Sequence, residues 1–334
     1  MKVKIKKETK IYVLSLAYYK TGGLELLHQL VSQLVELGYD ASIVYYNLRK
    51  KDNINPEFKK YVNRYLRFEE IDDNKDNILI VPETRIQALI KFKKIRKIIW
   101  WLSVDNYFPT ISIRNHMKQF GFLKTIKHIL IYHDIYKNWD LKSVADYHLV
   151  QSEYANLFLQ NHGIVEIARL SDYLNDTYLE KNYDISKKKD IVLYNPAKGY
   201  SFTKKIIDKS QDLKWVPLEN MTTLEVSEKL LEGKVYIDFG NHPGKDRFPR
   251  EAAVSGCCII TGKNGAARNK VDIPIPEQYK FDEEKVAVDE IIDSLRHIIK
   301  NYNSEISNFK DYRNIIKKEK NEFVSDIVSI FIKG

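Results

Sequence analysis

Strand-like and helix-like segments alternate along the first half of this chain, and this alternation restricts the fold more than any single motif. The run KIYVLSLAYY (10–19) precedes GGLELLHQLVSQLVELGYD (22–40), in which leucine and valine recur at helical spacing. Further strand-like runs lie at 41–47, 77–83, 97–105 and 147–152. Strand–helix–strand alternation of this kind predicts a parallel, doubly wound sheet.

A second series of the same kind follows the polar stretch EKNYDISKKKD (180–190), which we interpret as a linker. Its strands are predicted at 191–196, 213–218, 234–240 and 257–262, and its helices near 201–210, 222–232, 249–256 and 285–302. A chain of 334 residues is long enough for two such domains. We therefore predict an α/β protein with two Rossmann-like, doubly wound domains that face a cleft. Their predicted ranges are 1–178 and 190–304, with C-terminal helices over 305–334 that can pack back on the first domain.

The composition excludes several classes of protein. A net charge of +9 favours anionic partners, but the chain has no arginine-rich tail and no nucleic-acid module, so nucleic acid is not expected. The two cysteines are adjacent (Cys257 and Cys258), which gives neither a disulfide framework nor zinc spacing, and no metal or cofactor is expected. Since no leader peptide and no apolar run of membrane-spanning length is present, we expect a cytoplasmic protein.

The stretch DFGNHPGKDRFPREAAVSGCCIITG (238–262) combines glycines, cations and a helix start. Amide groups at a helix N-terminus together with lysine and arginine suit a diphosphate. Glu251 lies in the first turn of the predicted helix, where it is either a helix-end acid or an acceptor of hydrogen bonds from sugar hydroxyls. The residues predicted to bind the anion here are His242, Gly244, Lys245, Arg247 and Arg250.

Two other predicted strand-to-helix turns repeat this pattern. In YNPAKGYSF (194–202), Lys198 and Gly199 precede a helix, and Gly22 and Gly23 open the first helix of the chain. Glycine in such a turn either permits a tight turn or allows a ligand to approach bare backbone. These residues are also predicted to bind the ligand.

The first half offers two candidates for proton chemistry. Asp105 follows the strand-like run 97–105, where it is either a turn or cap residue or an acid that faces the cleft. His133 and Asp134 are adjacent and can act as a base and its orienting partner, or serve only structure.

Two segments mix cations with apolar residues: KFKKIRK (91–97) and RNHMKQFGFLKTIKHIL (114–130). Such segments are usually a solvated helix face that covers a sheet. The alternative is peripheral docking on an anionic membrane, with Phe120 or Phe122 inserted shallowly.

Three segments resemble bacterial glycosyltransferases of the two-Rossmann-domain (GT-B) type, nearest to the glycosyl transferases group 1 family. They are TGGLELLHQLVSQLVELGYDASIVYY (21–46), ADYHLVQSEYANLFLQNHGI (145–164) and FPREAAVSGCCIITGKNGAA (248–267). The chain departs from that family at Pro243, where members often carry a glutamate, and at Cys257–Cys258, where they carry Pro-Val.

The resemblance implies metal-independent transfer of a sugar from a nucleotide-diphosphate donor to a glycan or lipid-linked acceptor, in bacterial surface polysaccharide synthesis. It places the acceptor on the first domain and the donor on the second. It implies that Glu251 contacts the ribose or sugar, while Lys198 and the loop of Lys245 and Arg247 hold the diphosphate.

The candidate catalytic residues are accordingly Glu251, Asp105 and His133. Two alternatives stay open: a nucleotide-sugar epimerase on the same fold, and a non-catalytic protein that binds a nucleotide-sugar or glycan.

Overall fold

The computed structural model describes residues 2–19, 21–46, 48, 54–62, 64–131 and 136–333. Its contacts divide the chain into two compact units, Met1–Asp172 with Glu322–Gly334, and Tyr173–Asn321. The division falls before the predicted linker at 180–190, so this polar stretch lies inside the second unit. The predicted C-terminal segment 305–334 is shared, since its last part belongs to the first unit.

The first unit contains a parallel sheet and several helices. Its strands are Val3–Ile5 (β1), Lys10–Ser15 (β2), Asp40–Tyr45 (β3), Tyr65–Arg67 (β4), Ile78–Pro82 (β5), Arg96–Trp101 (β6), Tyr147–Val150 (β7) and Ile167–Arg169 (β8). Strands β2 to β8 form a seven-stranded sheet in the order β4-β3-β2-β5-β6-β7-β8. Its helices are Gly22–Glu36 (α1), Val104–Ile111 (α2), Ile113–Phe120 (α3), Phe122–Ile131 (α4), Leu141–Val144 (α5) and Glu153–Asn161 (α6).

The interior of this sheet follows from its apolar strands. Every residue of β5 is buried, as expected for a strand covered on both faces. In β6, the adjacent Trp100 and Trp101 are fully buried on opposite faces of the sheet. Trp100 donates its indole N–H to the Leu170 carbonyl oxygen at 3.2 Å, and Trp101 donates to His148 Nδ1 at 3.0 Å.

The second unit repeats the architecture with five parallel strands. They are Lys189–Tyr194 (β9), Lys214–Pro217 (β10), Gly233–Asp238 (β11), Cys258–Gly262 (β12) and Lys280–Phe281 (β13), in the order β10-β9-β11-β12-β13. Its helices are Asp176–Leu179 (α7), Tyr200–Lys209 (α8), Thr223–Glu232 (α9), Arg247–Val254 (α10), Val288–Lys300 (α11), Tyr302–Glu305 (α12) and Lys310–Ile330 (α13), the last of which continues into the first unit. The final strand, Phe331–Lys333 (β14), pairs in parallel with β1.

A buried lysine explains why the polar stretch 180–190 belongs to the second unit. The ammonium group of Lys188 donates hydrogen bonds to the carbonyl oxygens of Leu230, Gly233 and Ser255 at 2.8, 2.8 and 2.7 Å. Burial lowers the pKa of this ammonium group. Lys188 therefore ties the start of β9 to the ends of α9 and α10, which its charged sequence context does not indicate.

The basic segment 91–97 is a turn that leads into β6, not the helix face that its composition suggested. The Asp73 carboxylate accepts hydrogen bonds from the backbone N–H groups of Lys93, Lys94 and Ile95 at 3.0, 2.9 and 2.9 Å. Ile95 is buried, as is the neighbouring Phe92. The apolar residues of this segment therefore belong to the core. Among the described residues, no helix combines the length and the apolarity that crossing a bilayer requires.

Candidate functional site

The polar residues of the second unit gather at the carboxyl edge of its sheet. Strands β9, β11 and β12 end at Tyr194, Asp238 and Gly262, and because they are parallel these ends lie on the same edge. In open α/β sheets, ligands bind outside this edge. Two segments singled out in the sequence, 194–202 and 238–262, supply its loops.

Close backbone packing fixes the loops after β9 and β11. Gly199 has a φ of +59°, and a Cβ at this position would overlap the Phe239 carbonyl oxygen. A Cβ at Gly240 would lie 2.5 Å from the Cβ of Lys198. Glycine is therefore required at both positions. The contact brings Lys198 next to the loop that follows β11.

Lys198 belongs to a chain of charged side chains that we call the Lys198 network: Lys198, Asp246, His242 and Asp238. Lys198 Nζ lies 2.7 Å from Asp246 Oδ2, and the same oxygen lies 3.1 Å from His242 Nδ1. The other ring nitrogen of His242 lies 3.7 Å from Asp238 Oδ1, which also accepts the Gly240 N–H at 3.1 Å. Neither contact of the imidazole is a well-aligned hydrogen bond, so its attraction to the carboxylates is mainly coulombic.

The network favours the charged form of His242. Complete burial of His242 opposes its charge, but the Asp238 and Asp246 carboxylates outweigh this effect and raise the pKa of the imidazole above 6.5. Burial likewise opposes the charge of Asp246, but His242 and Lys198 lower the pKa of its carboxyl. With His242 protonated, the network contains two cations and two carboxylates, and Lys198, about one-third exposed, is its outer member.

This balance predicts a pH-dependent contribution to stability. Because the folded-state pKa of His242 is raised, its stabilisation is complete below the unfolded-state pKa of about 6.5 and is lost as pH rises through the folded-state value. We therefore expect His242→Gln to lower the melting temperature more at pH 6 than at pH 9. Thermal unfolding across this pH range measures the difference, with the exposed His162→Gln as control. A deficit that grows with pH would contradict the charged imidazole.

Asp238, His242 and Asp246 are also the donor types that hold divalent cations, and their ligand atoms lie within 4.8 Å of one another. However, the ammonium group of Lys198 already neutralises Asp246 at 2.7 Å and would repel a dication there. These residues therefore fit a salt-bridge network better than a metal centre.

Helix α10 begins beside this network. Asp246 precedes the helix, but its side chain makes no capping hydrogen bond because it points to Lys198 and His242. Arg247, the first helical residue, is half-buried, and Glu251 lies in the next turn with 7% exposure. A helix start without a side-chain cap, next to lysine and arginine, is suited to an anion.

Two residues predicted to bind the diphosphate lie inside the unit instead. Lys245 Nζ is 2.6 Å from Glu319 Oε1, and an Arg250 guanidinium nitrogen is 2.7 Å from Glu319 Oε2. Arg250 and Glu319 are fully buried, and Arg250 also donates to the carbonyl oxygens of Asp246 and Lys245, each at 3.1 Å. Through Glu319, these two cations therefore hold the start of α10 in place from the interior of the second unit.

Sequence reasoning missed Glu319 because its neighbours, KKEKNE, resemble an exposed helix. The signal was present in the helical spacing, since Glu319 falls on the buried stripe of α13 that contains Tyr312, Ile316, Phe323 and Ile327. An acid on an apolar stripe indicates a buried cationic partner.

The remaining predicted residues are one glycine of the loop before α10 and several residues of the first unit. Gly244 is buried between His242 and Lys245 in the loop before α10. In the first unit, Gly22 and Gly23 open α1, where the Thr21 hydroxyl accepts the Leu24 N–H and caps the helix.

Asp105 is half-buried in the first turn of α2 and accepts a hydrogen bond from the Tyr154 hydroxyl at 2.9 Å. His133 lies outside the described residues, as does Asp134.

Glu83 is a candidate in the first unit that the sequence analysis did not single out. It follows β5 at the carboxyl edge of the sheet, is buried, and accepts the Leu102 N–H at 2.8 Å. Burial raises the pKa of its carboxyl to about 7, a value that suits proton transfer near neutral pH. The sequence does contain a signal for this residue, since Glu83 directly follows the apolar run NILIVP, where a strand is expected to end.

No protein-family model matches the sequence, and no curated protein was found to be related to it by sequence. The structure, in contrast, is similar to solved structures over nearly its whole length. TarM superposes with a TM-score of 0.67 at 11% identity, covering 96% of this chain and 97% of TarM. Sucrose-phosphate synthase from Thermosynechococcus elongatus gives 0.65 at 10% identity, covering 96% and 97%. This chain has the GT-B fold.

A third GT-B structure is similar with its ligand present. HepE of Anabaena in complex with UDP-glucose has a TM-score of 0.61 at 10% identity, covering 96% of this chain and all of HepE. The predicted α/β class with two Rossmann-like domains is thus confirmed as GT-B. Membership of the glycosyl transferases group 1 family within that fold stays a prediction.

Proposed function

We propose that this chain is a glycosyltransferase that moves a sugar from a nucleotide-diphosphate donor to a glycan or lipid-linked acceptor. The observation that carries the proposal is the carboxyl edge of the second sheet, where Lys198 and the uncapped start of α10 lie together. The similarity to HepE with UDP-glucose, and to TarM in a complex that contains UDP, supports a nucleotide-sugar as ligand.

The chemistry of glycosyl transfer matches these groups. Breaking the bond between the sugar and the diphosphate builds positive charge on the sugar and negative charge on the departing phosphate. Lys198, Arg247 and the first amides of α10 would stabilise that negative charge from fixed positions. We propose that this stabilisation needs no metal, because the cations of the chain supply it.

The roles of the other residues follow from where they lie. We propose that Glu251 accepts hydrogen bonds from the ribose or the sugar. Lys245 and Arg250, which the sequence analysis assigned to the diphosphate, would instead keep the start of α10 rigid through Glu319. Asp105 and His133 stay proposed catalytic residues, with Glu83 as a further candidate for proton transfer.

We propose bacterial surface polysaccharide synthesis as the context, at the cytoplasmic face of the membrane. This proposal is supported by the resemblance of the three sequence segments to group 1 glycosyltransferases. The basic character of the chain, with a net charge of +9, is consistent with an anionic donor and an anionic surface.

A ligand screen tests the function. Thermal unfolding of the full chain is measured with UDP, GDP, ADP, CMP, TDP and their common sugar conjugates, with and without EDTA. We expect one nucleoside diphosphate to raise the melting temperature, because a ligand that binds only the folded state stabilises it, and we expect EDTA to leave the shift unchanged. No shift with any nucleotide would contradict the proposal.

Donor turnover then separates the three candidate functions. A transferase consumes the donor much faster when an acceptor is present, whereas an epimerase converts it without an acceptor. A binding protein shifts the melting temperature but consumes no donor.

A further inference from the structure

A helical hairpin in the first unit exposes large apolar side chains. Of the twenty large hydrophobic residues that are exposed in the described part of the chain, eight lie between positions 108 and 130. Leu123, Leu130 and Phe122 are the most exposed of them, at 82%, 67% and 60%. We call this set the apolar hairpin: Phe108, Ile113, Met117, Phe120, Phe122, Leu123, Ile126 and Leu130. So many exposed apolar side chains within one short stretch of the chain indicate an interaction site.

Two polar residues of the hairpin are buried between its helices. His116 of α3 and Thr125 of α4 are buried, and His116 Nδ1 lies 2.7 Å from the Thr125 hydroxyl. That hydroxyl donates to the Gly121 carbonyl oxygen at 2.9 Å, and Gly121 forms the turn between the helices with a φ of +84°. The buried positions thus contain a histidine and a threonine while leucine and phenylalanine face solvent, which is the reverse of an ordinary surface hairpin.

The charges of the hairpin all have one sign. Residues 106–131 contain no aspartate or glutamate, whereas Arg114, Lys118, Lys124 and Lys127 are all exposed. Four cations around an apolar surface favour an anionic partner, and they would repel each other if two copies of the hairpin met face to face.

We infer that the apolar hairpin docks on an anionic lipid bilayer. Phe122, Leu123 and Leu130 enter the boundary between headgroups and acyl chains, and Lys124 and Lys127 contact the acidic headgroups. The basic turn 91–97 takes no part, since Phe92 and Ile95 are buried. This inference rests on the proposed location at the membrane and names the surface responsible. Docking requires neither donor nor acceptor, so it can fail independently of the proposed transfer reaction.

Vesicle flotation with the full chain tests the inference. The vesicles consist of phosphatidylcholine alone or of phosphatidylcholine mixed with phosphatidylglycerol. We expect binding to the mixed vesicles, weaker binding at high salt, and little binding to phosphatidylcholine alone.

Paired substitutions show which residues are responsible. We expect the double variant Phe122→Ser, Leu123→Ser to reduce the bound fraction at least about tenfold, and Lys124→Gln, Lys127→Gln to do the same. Matched controls alter exposed residues elsewhere in the chain. The control for the apolar pair is the double variant Val165→Ser, Leu224→Ser. The control for the cations is the double variant Lys187→Gln, Lys285→Gln. The controls should bind like the unmodified chain, and circular dichroism should show that all variants are folded.

Several results would overturn the inference. They are no binding to mixed vesicles, equal binding to both kinds of vesicle, or unchanged binding by the hairpin variants. Light scattering adds one more: a dimer that the Phe122→Ser, Leu123→Ser variant abolishes would assign this surface to a second copy of the chain.

Discussion

Replacing Glu319 by glutamine should lower the free energy of unfolding by about 3–5 kcal/mol, the range measured when one partner of a buried ion pair is removed. The carboxylate neutralises both Lys245 and Arg250, at 2.6 and 2.7 Å. Glutamine has nearly the same shape but no charge, so both buried cations would lose their counter-charge. Urea unfolding followed by circular dichroism measures the effect.

The matched control is Glu322→Gln, on the same helix but exposed. Its effect should be small, because exposed ion pairs contribute at most about 1 kcal/mol. Equal stability of the two variants would show that the buried cluster does not stabilise the second unit. A large loss for Glu319→Gln would support a structural role for Lys245 and Arg250 over the ligand-binding role that their sequence context suggested.

Lys198→Met should weaken the affinity for the nucleoside diphosphate found in the ligand screen about 10- to 100-fold, as expected for the loss of a charge-assisted hydrogen bond of roughly 1.5–3 kcal/mol. Asp246 holds the ammonium group at 2.7 Å beside the start of α10, and an ammonium group can donate to a phosphate oxygen as well as to a carboxylate. Isothermal titration calorimetry measures the change in Kd.

Lys204→Met is the control for this prediction. Lys204 also pairs with an aspartate, Asp208, at 2.6 Å, but on the exposed surface of α8. Its replacement should leave the Kd unchanged. If Lys198→Met and Lys204→Met bound the nucleotide equally well, Lys198 would not contact the phosphates, and the proposed position of the donor would be wrong.

The sequence predicts those parts of the fold that depend on local periodicity. The central strands of both units, helix α1 and helices α8 to α11 appear as runs of apolar residues with a period of two or 3.6 residues, and their predicted positions agree with the structure to within a few residues. Helices α2 to α6 of the first unit were not predicted individually. Strands β1, β4, β8, β13 and β14 contain only two or three residues each, too few to show a period. The pairing of β1 with β14 joins opposite ends of the chain, so no local pattern indicates it.

In the candidate site, too, the features that depend on local sequence could be predicted, and those that depend on distant residues could not. The turn that contains Lys198 and Gly199 could be predicted because a strand, a glycine and a helix follow one another in the sequence. The burial of Arg250 in an ion pair could not be predicted, since its partner Glu319 is 69 residues away in the sequence. A cation in a glycine-rich loop resembles a ligand-binding residue until its distant partner is known.

The glycines at the edge of the second sheet limit how this chain can vary. Side chains at Gly199 and Gly240 would collide with the opposite loop, and one at Gly265 would collide with the His242 carbonyl group. The loops after β9, β11 and β12 thus pack against one another through glycine backbone. A change in the path of one loop would therefore require a compensating change in its neighbour. In a random mutant library, these three positions should tolerate almost no replacement. If Arg247 contacts the ligand as proposed, new ligand preferences would have to arise by exchanging such side chains on an unchanged loop framework.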